Sequence, residues 1–163
     1  VMSFEDRLHK AIERGKRRSE AKRSEAEAQA LSEEEFKRLH SSYRLQISEH
    51  IEKCIRQLPN YFPGFRLETL YGERGWGMAC SRDDLRVDSN RRRANDFSRL
   101  EMTVRPASAL HVLELAAKGT IRNKEVFNRN YFETLQDVDL EKFLELVDVW
   151  VVEYAESYAA KIS

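Results

Sequence analysis

The sequence predicts an α+β fold: an antiparallel β-meander of about four to five strands, packed on one face by two amphipathic helices. An extended, charged N-terminal helix precedes it. Apolar residues recur every three or four positions toward both ends of the chain and alternate with polar residues in the middle. No crossover helix separates the alternating segments, which indicates antiparallel strands. We expect a charged helical arm at residues 1–31 and a single domain at 32–163, sizes that 163 residues allow.

The N-terminal arm has its own helix signal. Ser3-Phe4-Glu5-Asp6 resembles a capping box, in which a Ser hydroxyl and an acidic side chain satisfy the first backbone N–H groups. Phe4, Leu8 and Ile12 then form one short apolar stripe. Residues 15–30 contain no large apolar residue, so this stretch is either an exposed helix or a frayed arm.

Two amphipathic helices are predicted for the domain itself. The first starts at a Ser32 cap, ends at Pro59, and carries the stripe Phe36, Leu39, Tyr43, Ile47, Ile51, Cys54, Ile55 and Leu58. The second is capped by Asp137 or Asp139 and carries Leu140, Phe143, Leu144, Val147, Val151, Tyr154, Ala155 and Tyr158. Both stripes are wide enough to bury against a sheet, so we expect both helices to belong to the core.

The middle of the chain changes to a period of two. Alternation predicts strands in the segments 65–71, 76–80 (continued at 85–87 after a charged break), 97–105, 110–117 and 126–132. The segment 110–117 has a composition that also suits a helix, but the following Gly119 and the turn at Asn123-Lys124 favour a strand. The glycine-rich segment 72–77 lacks the spacing of a phosphate-binding loop and predicts a hairpin turn.

Composition restricts the class of protein. Apolar residues make up 41% and charged residues 34%, which is typical of a globular protein with a solvated surface. No apolar run approaches the roughly 20 residues of a membrane-spanning helix, and the start lacks the apolar segment of a secretory signal. We therefore expect a cytoplasmic protein with no membrane partner.

Charge is unevenly distributed although the formal net charge is zero. Residues 10–23 hold seven basic and two acidic side chains, a local charge of +5. Residues 133–163 hold eight acidic and two basic side chains, a local charge of −6. Such asymmetry favours association with a protein partner or with a second copy of the chain.

The titratable residues do not form a recognisable catalytic motif. Cys54 and Cys80 are expected to be free thiols that act as small core residues, with no His at metal-ligand spacing. His40 and His50 flank a helical apolar stripe and are interpreted as surface histidines. We expect no enzymatic activity, no catalytic residue, no bound metal and no cofactor.

An acidic group also invites a metal hypothesis. Its members are Asp83, Asp84, Asp88 and Asp96. The central Gly and terminal Glu of a calcium loop are missing, and Arg82, Arg86 and the triple Arg that follows can neutralise these acids. The sequence favours a solvated, salt-bridged loop.

The sequence favours two function classes over a third, an enzyme, for which it offers no catalytic residue that can be named. The first is a non-catalytic interaction or adaptor protein that acts through protein–protein contacts, as a homodimer or with another partner. The alternative is a nucleic-acid-binding module, in which basic residues contact phosphates and an exposed aromatic side chain stacks on bases. Its candidate binding residues are Arg91, Arg92 and Arg93 of the triple-Arg loop, Arg17 and Arg18 of the arm, and Trp76.

Overall fold

A computed structural model describes residues 3–162, apart from the side chains of residues 28–31. The chain divides into two compact units, with the boundary between Arg38 and Leu39. The separate arm expected at residues 1–31 stays a prediction.

The described chain has the order helix, five strands, helix. The helices are α1 (Phe4–Ile55), α2 (Leu58–Tyr61) and α3 (Leu140–Ile162), and a 3₁₀ turn covers Leu135–Asp137. The strands are β1 (Arg66–Leu70), β2 (Trp76–Val87), β3 (Arg93–Val104), β4 (Val112–Ile121) and β5 (Lys124–Thr134). The predicted α+β class is confirmed.

The long helix α1 begins as predicted but contains no second start. The Asp6 backbone N–H donates to the Ser3 hydroxyl over 3.2 Å, so Ser3 caps the helix. The expectation that a new helix starts at Ser32 is wrong, because α1 continues through it to Ile55. The surrounding Ala, Glu, Lys and Arg residues are strong helix formers, and no Pro interrupts them. Pro59 lies in the first turn of α2.

The five strands form one sheet in the order β1-β2-β3-β4-β5, and every neighbouring pair is antiparallel. The predicted meander is therefore confirmed. Strand β4 includes most of the ambiguous segment 110–117, where a strand was predicted. Between β4 and β5, Arg122 and Asn123 adopt φ angles of 48° and 70°, as a tight turn between twisted strands requires.

One face of the sheet carries the core of the second unit. Ile47, Ile51 and Ile55 of α1 are buried, as are Phe143 and five further residues of α3: Val147, Trp150, Val151, Tyr154 and Tyr158. Tyr154 makes an edge contact with Phe127 of β5. In β3, Leu100, Met102 and Val104 are fully buried. The predicted packing of two helices on one sheet face is confirmed, and the opposite face carries charged side chains.

Candidate functional site

The most chemically distinctive cluster in the second unit joins α1 to α3. His50 and Cys54 are four residues apart on α1, a spacing that places them one above the other on one helix face. Asp148 on α3 lies against both of them. The site therefore consists of an imidazole, a thiol and a carboxylate.

The three side chains meet at one carboxylate oxygen. The Nε2 atom of His50 lies 2.7 Å from Oδ1 of Asp148. The Cys54 thiol donates to the same Oδ1 over 3.2 Å, and its Sγ lies 3.6 Å from the His50 Nε2. His50 and Cys54 are half-buried and Asp148 is exposed, so solvent reaches the cluster.

This geometry does not activate the thiol as a nucleophile. Burial, together with the hydrogen bond to Asp148, raises the pKa of Cys54 to about 12. A nucleophilic cysteine needs the opposite shift, because the thiolate is the reactive form. In a catalytic triad the carboxylate binds the imidazole nitrogen that points away from the nucleophile. Here the Nε2 that faces Asp148 is also the nitrogen beside the sulfur.

This cluster was not predicted from the sequence, although part of its signal is visible there. The statement that no His lies at metal-ligand spacing from a cysteine is wrong, because His50 precedes Cys54 by one helical turn. His50 is also half-buried and paired, which corrects its interpretation as a surface residue. Asp148 could not be found from sequence, since its position depends on how α1 and α3 pack.

The remaining cysteine and histidine predictions have mixed outcomes. Cys80 is a free, buried thiol as expected, and burial raises its pKa to about 12. His40 was expected on the surface, but it is only 3% exposed. Its Nε2 lies 3.1 Å from the Arg105 carbonyl, which only accepts hydrogen bonds, so Nε2 carries the proton.

The acidic group contains ion pairs as predicted, but most of it is not a loop. Asp83 and Asp84 lie on β2 and Asp96 lies on β3, because these strands extend further than the alternation indicated. Their pairs are Arg66–Asp83 at 2.8 Å, Arg82–Asp84 at 2.8 Å and Arg86–Asp96 at 2.9 Å. Asp88 alone lies in the turn, where its carboxylate accepts the backbone N–H groups of Asn90 and Arg92.

The structure brings only part of the predicted binding set together. Arg91, Arg92 and Arg93 are exposed at the β2–β3 turn, and the side chains of all three make no ion pair within the described part of the chain. Arg17 and Arg18 are exposed on α1 in the first unit.

Trp76 lies apart from the triple Arg. It is half-buried at the start of β2, eleven residues before the strand ends, and this span corresponds to about 36 Å. The Arg44 guanidinium covers its ring at 4.2 Å from the ring centre. One stacking face of Trp76 is therefore occupied by Arg44.

The open face of the sheet holds a charged groove of about 650 Å³. Arg99 is one of its lining residues and pairs with Glu68 at 3.0 Å and with Glu101 at 3.4 Å. The groove is also lined by Tyr71, Arg74, Arg105, Lys118 and Asn128. The groove mixes both signs of charge and has no concentration of one of them.

An apolar stripe is exposed in the first unit. Phe4 is 76% exposed, and Leu8 and Ile12 are each 49% exposed. These three residues follow one another at helical spacing on α1, so they form one continuous surface. We call this surface the N-terminal stripe.

Comparison of the chain with protein families, with curated proteins and with solved structures finds no match. Within the described residues, every helix is too short or too polar to form a membrane span.

Proposed function

We propose that this protein is a non-catalytic interaction protein that forms a homodimer through the N-terminal stripe. The observation that supports the proposal is the exposure of Phe4, Leu8 and Ile12 on a helix whose neighbouring surface is strongly charged. Scattered apolar residues are normal on a surface, whereas three in one row indicate a docking face. The protonated Cys54 thiol supports the absence of nucleophilic catalysis at that site.

Charge favours a second copy of the chain as the occupant of the stripe. The first turn of α1 is acidic, with Glu5 and Asp6, and the segment just beyond the stripe is basic, with Arg14, Lys16 and Arg17. In an antiparallel pair with the stripes in register, the acidic turn of each copy lies about 5–10 Å along the helix axis from the basic segment of the other, which is within about one Debye length. A parallel pair would place like charges together, so we propose the antiparallel arrangement.

The expected affinity is modest. Burying one of these partly exposed side chains contributes about 1–2 kcal/mol, and a symmetric pair buries six of them. The gross gain of about 6–12 kcal/mol is opposed by an association cost of about 4–15 kcal/mol. We therefore propose a weak, concentration-dependent dimer.

Two free thiols agree with a cytoplasmic location, since oxidising compartments favour disulfides.

The test compares full-length variants by size-exclusion chromatography with light scattering. The double variant Leu8→Glu/Ile12→Glu places charge in the stripe and should reduce the dimer to a monomer. Leu110→Glu is the matched control, because Leu110 is 78% exposed in the β3–β4 connection and lies outside α1. The control should keep the wild-type association.

Helical content measured by circular dichroism separates lost contacts from a melted α1. The proposal is contradicted if the double variant keeps both its helical content and the wild-type association. The proposal is also contradicted if Leu110→Glu weakens the dimer as much as the double variant does.

A second candidate function is nucleic-acid binding, supported by the exposed guanidinium groups of Arg91, Arg92 and Arg93. The acids on the neighbouring strands are already neutralised by other arginines, so within the turn only the Asp88 carboxylate offsets part of the positive charge. Contacts to phosphates should give an affinity that falls steeply with salt.

A mixed oligonucleotide binding assay tests this second candidate. The triple variant Arg91→Ala/Arg92→Ala/Arg93→Ala should weaken binding and reduce its salt dependence. Arg17→Ala/Arg18→Ala measures the contribution of α1 separately. Binding that is undetectable at low salt, or that the triple variant leaves unchanged, would remove the role of the turn.

A further inference from the structure

We propose that His50, Cys54 and Asp148 bind one divalent zinc-class metal ion between α1 and α3. The three donor atoms all lie within 4.8 Å of one another. They come from two different elements of the same compact unit, so the fold itself brings them together. The inference is independent of the dimer proposed above.

The distances between donor atoms fit a tetrahedral ion with a small adjustment. With the usual Zn–N, Zn–S and Zn–O bond lengths, tetrahedral donors lie about 3.4–3.6 Å apart. The His50 Nε2 to Cys54 Sγ distance of 3.6 Å already matches, and the Cys54 Sγ to Asp148 Oδ1 distance of 3.2 Å is close. The 2.7 Å between His50 and Asp148 must open by about 0.7 Å, and the 3.2 Å between Cys54 and Asp148 by about 0.4 Å at most.

The Asp148 side chain, which must move away from His50 to admit the ion, is not held in the core. The side chain of Asp148 is 57% exposed and that of His50 is 25% exposed. A rotation of the Asp148 side chain therefore moves its carboxylate outward without displacing the core. His50 and Cys54 are held at their separation by one turn of the same helix.

The donor types select the metal. A thiolate, an imidazole and a carboxylate together are typical zinc ligands. Mg²⁺ and Ca²⁺ prefer sets composed of oxygen donors, and a thiol does not suit them. The set should therefore bind Zn²⁺ or Co²⁺ in the presence of a large excess of Mg²⁺.

Metal binding at this site is balanced in both charge and protons. The Cys54 thiol loses its proton to solvent and becomes a thiolate, while the His50 ring proton moves to Nδ1 so that Nε2 can bind the ion. The thiolate and the Asp148 carboxylate then neutralise the two positive charges of the ion. Three protein ligands leave one coordination position, which water fills at this solvent-accessible site.

The test titrates metal-free, full-length protein with Co²⁺ alone and then with Zn²⁺ alone. Co²⁺ should bind at one ion per chain and give the thiolate-to-cobalt charge-transfer absorption together with tetrahedral d–d bands. Zn²⁺ should remove both signals at one equivalent, and excess Mg²⁺ should not. Zn²⁺ should also raise the melting temperature, since ligands that bind only the folded state stabilise it.

Three variants and two controls assign the ligands. Cys54→Ser should abolish the charge-transfer band, and His50→Gln and Asp148→Asn should each weaken Zn²⁺ affinity by at least about 100-fold, since even outer-shell changes cost about 10–100-fold. Cys80→Ala removes the other thiol, and Glu156→Gln removes another exposed carboxylate of α3. Both controls should retain the cobalt spectrum.

The spectrum also distinguishes this site from adventitious binding. A Co²⁺ complex without thiolate absorption, or a spectrum that Cys54→Ser leaves unchanged, would overturn the proposal. Absence of binding at micromolar Zn²⁺ in the folded wild-type protein would overturn it as well. The metal-ligand variants lie outside the N-terminal stripe. A negative result in the metal-binding experiments would therefore leave the dimer proposal unaffected.

Discussion

At the scale of single residues, His40 provides a pH-sensitive element of stability. Burial lowers its pKa below the ordinary 6.5, and the nearby Arg44 lowers it further, against the opposing effect of the Arg105 carbonyl. Above pH 6.5 both the folded and the unfolded states hold a neutral ring. Below it, the unfolded chain takes up a proton that the folded chain resists, so the free energy of unfolding falls as pH drops toward the folded pKa.

Urea unfolding at about one pH unit above and below pH 6.5 tests this pH dependence of stability. His40→Gln keeps an N–H donor for the Arg105 carbonyl but does not titrate. The variant should lose less stability on acidification than the wild type, by up to about 1.4 kcal/mol per pH unit. His9→Gln, on an exposed position of α1, should keep the wild-type difference. Equal pH dependence in the His40 variant would contradict this explanation.

Gly77 marks a close approach between β2 and β3. A Cβ atom built there would lie 1.9 Å from the Met102 carbonyl oxygen, so any side chain forces the strands apart. Gly77→Ala should therefore lower the free energy of unfolding by about 1–3 kcal/mol, the usual cost of overpacking.

The same substitution at Gly15 is the control for Gly77. Gly15 lies in the helix α1 with no neighbouring atom within 4 Å of its Cβ position. Gly15→Ala should leave the unfolding free energy unchanged or raise it by up to about 1 kcal/mol, because Ala favours a helix. If Gly77→Ala is equally harmless, the close approach is not a constraint.

Residue type and spacing predicted some of these roles and not others. The one-turn spacing of His50 and Cys54 is visible in the sequence, whereas the partner carboxylate of Asp148 depends on the packing of α3 against α1. His40 lies beside an apolar stripe, and nothing in its neighbours along the chain indicates that Arg105, 65 residues later, supplies its acceptor. Long-range polar partners are set by tertiary packing, which local patterns do not encode.

At the scale of elements, hydrophobic periodicity predicted the helices and strands better than it predicted their ends. The stripe of α3 and the alternation in β3 both face the core as expected. The boundary at Ser32 was wrong because a Ser-Glu-Glu-Glu pattern caps a helix only where the preceding residues leave the helical conformation. Here strong helix formers continue on both sides, and α1 does not break.

Helix α3 is held on the sheet by its apolar stripe, by the Arg129–Glu153 ion pair and by the hydroxyl group of the buried Tyr154. The Tyr154 hydroxyl donates to the Thr120 carbonyl on β4 over 2.9 Å, and Tyr154 is almost fully buried. Tyr154→Phe keeps the ring but leaves that carbonyl without this donor. We expect a loss of about 1–2 kcal/mol in the free energy of unfolding, measured with urea.

Tyr71→Phe is the matched control for the α3 contact. Tyr71 is exposed beyond the end of β1, so removing its hydroxyl should change stability by less than about 0.5 kcal/mol. Similar stability of the two variants would show that the Tyr154 hydrogen bond does not fix α3.

At the scale of the whole molecule, the sequence was sufficient for the fold class and insufficient for the function. The change of period from helical to alternating and back predicted a meander covered by two helices. Charge runs and an exposed stripe predicted association without identifying a partner. The metal site could not be predicted, because it requires side chains from α1 and α3 that are 94 residues apart in sequence.

Self-association of this chain is the central proposal for its function. Sedimentation equilibrium over a range of protein concentrations, up to about 1 mM, covers the weak affinity expected for a stripe of three side chains. We expect the molar mass to rise with concentration from the 19.2 kDa of one chain toward twice that value. A mass that stays at 19.2 kDa throughout the range would contradict the proposed homodimer.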